Sequence, residues 1–128
     1  DYSKAFSYYK KASDLNDKDG YCWLGFCYEK GYGVAADIET AVQLYLKADQ
    51  LGSSLASGYL GTMYAIGKGG LPKDLKKAEY LWKKAANAKT KQISAVRNLV
   101  KFYKNTKNQK EWLKWSKELE KLKELEVM

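Results

Sequence analysis

Apolar positions recur along this chain at the three- and four-residue spacing of helices, and the same order of residues returns after a fixed interval. Leu24-Gly25, Tyr28, Gly31 and Gly33 come back as Leu60-Gly61, Tyr64, Gly67 and Gly69, each 36 positions later. Beyond those glycines the interval becomes 37: Asp37, Ala41, Tyr45 and Ala48 map onto Asp74, Ala78, Trp82 and Ala85, and the extra residue falls within Gly69-Gly70-Leu71. Upstream, Ala5, Tyr9 and Ala12 match Ala41, Tyr45 and Ala48 at 36, which gives a helix without the partner that precedes it in the other units. Downstream, Ala95, Leu99 and Tyr103 match Ala56, Leu60 and Tyr64 at 39, but Val100 replaces the glycine and Asn105 to Asn108 replace the glycine loop. Such decay suits a terminal unit, which must turn a polar outer face to water.

The pattern predicts helices over about 2–14, 20–30, 37–51, 54–67, 74–88, 91–105 and 108–126. Ala41 and Ala48, like Ala78 and Ala85, lie seven apart on one stripe, where small side chains let two helices approach closely. Tyr45 and Trp82 sit between those alanines and supply bulk, as Tyr28 and Tyr64 do from the helix before. Gly31 and Gly33, like Gly67 and Gly69, follow the last periodic residue of their helix, where a left-handed C-terminal cap needs glycine. Asp37 and Asp74 stand where a carboxylate accepts helix N–H groups. In the last helix Trp112, Trp115, Leu119, Leu122 and Leu125 form an apolar stripe, with lysines and glutamates alternating on the other faces.

Written as a motif, Ala-x3-Leu-Gly-x2-Tyr-x2-Gly-x-Gly-Val-x2-Asp-x3-Ala-x3-Tyr/Trp-x2-Ala resembles the Sel-1-like repeat, a relative of the tetratricopeptide repeat. Residues 20–52 and 56–88 carry it, with Gly20 at the first small position of one unit and Thr40 where lysine is usual. The resemblance implies an all-α superhelix, a solenoid of stacked antiparallel helical hairpins. Residues 1–128 would form one repeat domain: the second helix of an incomplete repeat at 1–15, repeats at 20–52 and 56–88, and a divergent terminal repeat with capping helix at 91–128. It also implies an interaction scaffold that binds another protein or peptide in its concave groove, often in bacterial effector, signalling or toxin-antidote settings. In such hairpins the first helices line the groove. That placement assigns Phe26, Glu29 and Lys30 to it in one unit, Thr62, Ala65 and Ile66 in the next, and Arg97, Lys101 and Lys104 in the weak third.

Composition narrows the chemistry. The chain has 45% apolar and 30% charged residues with one proline, as a folded helical domain does, and no histidine, the commonest general base and metal ligand. No catalytic constellation, metal site or cofactor is expected. Cell-wall or amide hydrolysis, suggested for a few similar repeat proteins, lacks both a histidine and a Ser-x-x-Lys pair. Cys22 and Cys27, five apart on one helix, are about 140° apart around its axis and cannot bridge each other. They read as structural thiols, and a reducing, cytoplasmic compartment is favoured over a periplasmic or secreted one, which stays open if a signal peptide was removed. A helical pattern already under way at Tyr2 suggests a longer parent. No stretch approaches the roughly 18 to 20 apolar residues of a membrane helix.

Charge is lopsided: residues 1–70 hold seven basic and eight acidic side chains, residues 71–128 sixteen and seven. Such polarity steers an acidic partner segment, so the groove is expected to run from aromatic and charged, through apolar, to basic. Nucleic acid on the basic half, with Trp112 and Trp115 as stacking platforms, is the alternative. Both tryptophans fit a core stripe better, which argues against it. A monomer is expected.

Overall fold

The computed structural model describes residues 1–89 and 91–127, with side chains up to Leu125, so Met128 of the expected terminal unit lies outside the described residues. Among the described residues there are seven α-helices and no strand: α1 Tyr2–Asp14, α2 Lys18–Lys30, α3 Ile38–Gln50, α4 Ser54–Ile66, α5 Leu75–Ala86, α6 Ile93–Asn105 and α7 Gln109–Val127. Each packs on its neighbours in sequence, and α2 also packs on α4. The chain is an all-α superhelix whose hairpins α2–α3, α4–α5 and α6–α7 stack on α1.

Local chemistry places the ends. Asp17 caps α2 by accepting from the Asp19 and Gly20 N–H groups at 2.9 and 3.1 Å, so this helix starts at Lys18 rather than at the expected Gly20. Asp37 caps α3 through Thr40 N at 3.2 Å and also accepts from its hydroxyl at 2.7 Å, a use for threonine at that position. Asp74 caps α5 through Lys76 and Lys77 N–H groups. Gly31 and Gly67 end α2 and α4 at φ 74° and 77°, a conformation that costs an L side chain about 1–2 kcal/mol. The loops close identically, Asp37 N donating to Tyr28 O and Asp74 N to Tyr64 O, each at 2.8 Å.

Helix packing depends on missing side chains. A methyl on Gly25 would lie 2.9 Å from Tyr45 Cε1 and one on Gly61 2.6 Å from Trp82 Cδ1 and Nε1. These glycines set the distance within each hairpin. Between units, Gly33 presses on Tyr2 O and Phe6, and Gly69 on Ile38 O and Val42, which are the same positions one repeat on. Two linked cores result. One gathers Cys22, Ala41, Val42, Tyr45, Leu60, Met63 and Leu81, the other Ala78, Trp82, Leu99, Tyr103 and Trp115, and Tyr64 touches both. Trp112, Leu119 and Leu122 pack on the second core as their stripe predicts, while Leu125 at the end of that stripe is 66% exposed.

Candidate functional site

The first helices of the hairpins, α2, α4 and α6, present one stripe each at helical spacing: Trp23, Phe26 and Lys30, then Tyr59, Thr62 and Ile66, then Ser94, Asn98 and Lys101. Half-buried rings form a continuous chain across the first of these. Tyr9 of α1 stacks on Trp23 at 6.1 Å, Trp23 meets Phe26 edge-on at 5.9 Å, and Phe26 stacks on Tyr59 at 6.0 Å. Lys30 Nζ lies 5.8 Å from the Phe26 centroid, a cation–π contact at the edge of the strip.

A shallow cavity of about 240 Å³ follows, lined by Glu29, Gly58, Tyr59, Thr62, Met63, Ile66, Lys68, Ser94 and Asn98. Its lining is mostly apolar, with Tyr59, Met63 and Ile66 among its walls, and its polar groups are bonded to one another. Asn98 Nδ2 donates to Thr62 Oγ1 at 3.3 Å, and Thr62 Oγ1 donates to Gly58 O at 3.4 Å, tying α6 to α4. Glu29 accepts from the Tyr45 hydroxyl at 2.8 Å and lies 3.7 and 4.0 Å from the ammonium groups of Lys30 and Lys68. Burial, then the Glu29 carboxylate, raise the Tyr45 hydroxyl far above its usual value, so it stays a donor. At the other end of the same face Lys18, Asp19, Trp23, Ser54, Leu55 and Gln92 line a second hollow of about 300 Å³.

Of the residues expected on the groove, Phe26 lies in the aromatic chain, Lys30 stands exposed over it, and Glu29, Thr62 and Ile66 line the cavity. Arg97 and Lys101 are exposed on α6, with Lys101 one turn beyond Asn98. Two fall elsewhere. Ala65 packs against the second core, and Lys104 lines a separate hollow with Tyr103, Lys107, Gln109 and Trp112 at the α6–α7 turn. Sequence reasoning does not single out Trp23, Tyr59, Ser94, Lys68 and Asn98. The signal that finds the first of them is the i, i+3, i+7 stripe through Trp23, Phe26 and Lys30, from which position 29 is rotated by about 60–120°.

Among the described residues no group of three or more His, Cys, Asp or Glu could hold a metal ion, and no helix is long and apolar enough to cross a membrane. Cys22 and Cys27 are both free and buried, and burial pushes the Cys22 thiol up to about 12. Of the two tryptophans considered as stacking platforms, Trp115 is buried with its Nε1 donating to Glu111, and half-buried Trp112 packs against the second core.

A model of the Sel1 repeat matches residues 1–17, 18–53 and 54–89. Rat (Rattus norvegicus) DAP3-binding cell death enhancer 1 is 35% identical over 66 residues, which is 52% of this chain and 13% of that protein. A crystal structure of a Sel1 repeat protein from Oxalobacter formigenes is similar with a TM-score of 0.84 at 32% identity, over 95% of this chain and 51% of that one. The chain thus spans about half the length of that structure and a small part of the rat relative. Sel1 repeats generally mediate contacts between proteins, and the proteins built from them are generally scaffolds rather than enzymes. With matched repeats covering more than half of the sequence and the same superhelix in a solved relative, the chain belongs to the Sel1 repeat family.

Proposed function

We propose that the chain is a protein-binding module without catalytic activity, whose α2–α4–α6 face holds one segment of a partner protein. Apolar or aromatic residues of that segment cover Trp23, Phe26 and Tyr59, and acidic residues beyond them meet Lys101 and Arg97. The observation that carries this reading is the half-exposed aromatic chain Tyr9–Trp23–Phe26–Tyr59, which leads into a mostly apolar cavity and then to basic side chains on α6. Rings of this size gain about 25 cal/mol per Å² when covered, and Trp, Tyr and Arg are the residues on which interfaces concentrate their energy. The lysines add orientation and approach rate more than affinity. The rat relative's name, which states that it binds DAP3, agrees with a binding role, and the short overlap carries no particular partner across.

A synthetic peptide with two phenylalanines and a leucine followed by four aspartates tests the reading in its two halves. Trp23→Ala is expected to weaken binding at any salt concentration, since the substitution removes apolar surface and no charge. The double change Arg97→Glu and Lys101→Glu is expected to weaken it strongly at low salt and little at high salt. Unchanged affinity in both variants at low salt would reject the groove.

A further inference from the structure

The turn from α6 to α7 lacks the glycines of the earlier hairpin loops and carries lysine instead. A hollow of about 350 Å³ opens there, lined by Tyr103, Lys104, Lys107, Gln109 and Trp112, a volume in the range of small-molecule sites. Its lining is mostly apolar, yet two of the residues around it are lysines. Their charge is uncompensated. Between Glu79 and Glu111 the sequence holds nine basic side chains and no acidic one. Lys83, Lys84 and Lys91 reach the carboxylates of Glu79, Glu111, Asp49 and Glu118, whereas among the described residues Lys104, Lys107 and Lys110 make no ion pair. Glu111, the acid next in sequence, is held by Lys83 and by the Trp115 indole.

The backbone adds an independent sign. Three turns close with the same bond, the N–H of Asp17, Ser53 and Asn108 donating to the carbonyl five residues earlier, in Ala12, Ala48 and Tyr103. The residue before each donor is left-handed, at φ 64°, 98° and 58°, and these residues are Asn16, Gly52 and Lys107. Asparagine and glycine adopt this conformation readily, and lysine does so under strain. Strain kept in a turn beside a hollow points to a side chain retained for binding rather than for folding.

We propose that this hollow binds a small aromatic anion, a flat ring bearing a carboxylate or a phosphate. The ring covers the apolar lining at Trp112 and Tyr103, while Lys104 and Lys107 take the anionic group and Gln109 offers a further amide donor. A neutral ring leaves the two ammonium groups without a partner, and a bare inorganic anion leaves the apolar lining uncovered. The α2–α4–α6 face has no part in this site, so the inference stands apart from the proposed groove.

The probe is 2-naphthoate, titrated into the whole chain at low salt and followed by the Trp112 indole signal and the amides of Lys104 and Lys107. These signals are expected to shift and saturate, and the neutral isostere 2-naphthamide is expected to bind about tenfold more weakly or worse. Lys107→Asn is expected to weaken naphthoate about tenfold while raising the melting temperature by a few degrees, because asparagine relieves the turn. Lys107→Arg, which keeps the charge, is expected to retain most of the affinity. The proposal is overturned by the absence of a saturating shift at this turn, by equal binding of the amide, or by unchanged affinity in Lys107→Asn. Loss of naphthoate binding in Trp23→Ala would overturn it as well, since the probe would then sit on the groove.

Discussion

Two glycines on one helix provide an internal contrast. Gly58 and Gly61 are both buried in α4, and either becomes a better helix former as alanine, by about 0.5–1 kcal/mol. Their surroundings differ. A methyl at Gly58 would meet Ala85 Cβ at 3.8 Å, an ordinary contact, whereas one at Gly61 would lie 2.6 Å from two atoms of the Trp82 ring and 3.2 Å from Ala78 O. Trp82 is 6% exposed with Phe102 packed edge-on against it, so the ring has nowhere to go and α4 must move away from α5. Overpacking of this kind costs about 1–3 kcal/mol. Gly58→Ala is therefore expected to stabilise by about 0.5–1 kcal/mol and Gly61→Ala to destabilise by about 1–2 kcal/mol. At roughly 4 °C per kcal/mol for a chain of this length, the two melting temperatures separate by about 8 °C, readable by circular dichroism. Urea titration with an unchanged slope checks that stability alone has moved. Equal stability of the two variants would refute the claim that the repeated glycine sets the spacing of the hairpin.

The alkaline limit follows from buried hydroxyls and a thiol: Tyr45, Tyr59, Tyr103 and Cys22 all release protons less readily than their ordinary values of 10.0 and 9.0, Tyr103 and Cys22 at about 12. The folded state holds protons that the unfolded state gives up, so stability is full below about pH 9 and falls as pH rises toward 12; urea midpoints at pH 8 and 10.5 should show the drop. Tyr45→Phe should make it shallower at a cost of about 1 kcal/mol at neutral pH. Asp49 accepts from the buried Ser57 hydroxyl and pairs with Lys84 at the surface, so Asp49→Ala should cost about 1–2 kcal/mol and Lys84→Ala under about 0.5 kcal/mol. Gly33→Ala would place a methyl 2.5 Å from Tyr2 O, and amide exchange in α1 should rise more than in α4, since the methyl would lift this loop off α1.

The period is legible because each repeated residue has a physical duty that few others fulfil. Leu-Gly-x2-Tyr encodes a buried side chain, a close approach and a ring, and the helix bounds follow to within about two residues of those observed. Asp37 and Asp74 can be read as caps because they precede the periodic run. Asp17 is harder to see because Gly20, standing where Ala56 stands in the next unit, draws the start of α2 inward. The proposed groove is legible only in part: which helices line it comes from the resemblance, and the choice of positions on them turns on rotation about each helix axis. Glu29 lines the cavity although it lies off the main stripe, because it reaches across to Tyr45, while Ala65 at the same position is too short to leave the core. Among the described residues Trp82 Nε1 is buried without an acceptor. Tyr45 and Glu29 have become Trp82 and Ala65 in the second unit, and the donor stayed when the carboxylate went.

The four tryptophans offer the most direct test of the proposed groove, because Trp23 alone among them lies on the α2–α4–α6 face. Trp82 and Trp115 are buried in the second core and Trp112 packs against that core. In a titration with the phenylalanine–aspartate peptide followed by two-dimensional nitrogen–proton spectra, the groove model predicts that the indole signal of Trp23 moves together with the amides of Phe26, Tyr59, Asn98 and Lys101, while the other three indoles stay in place. Movement of the Trp112 or Trp115 indole with Trp23 unmoved would contradict it and place the partner on α7.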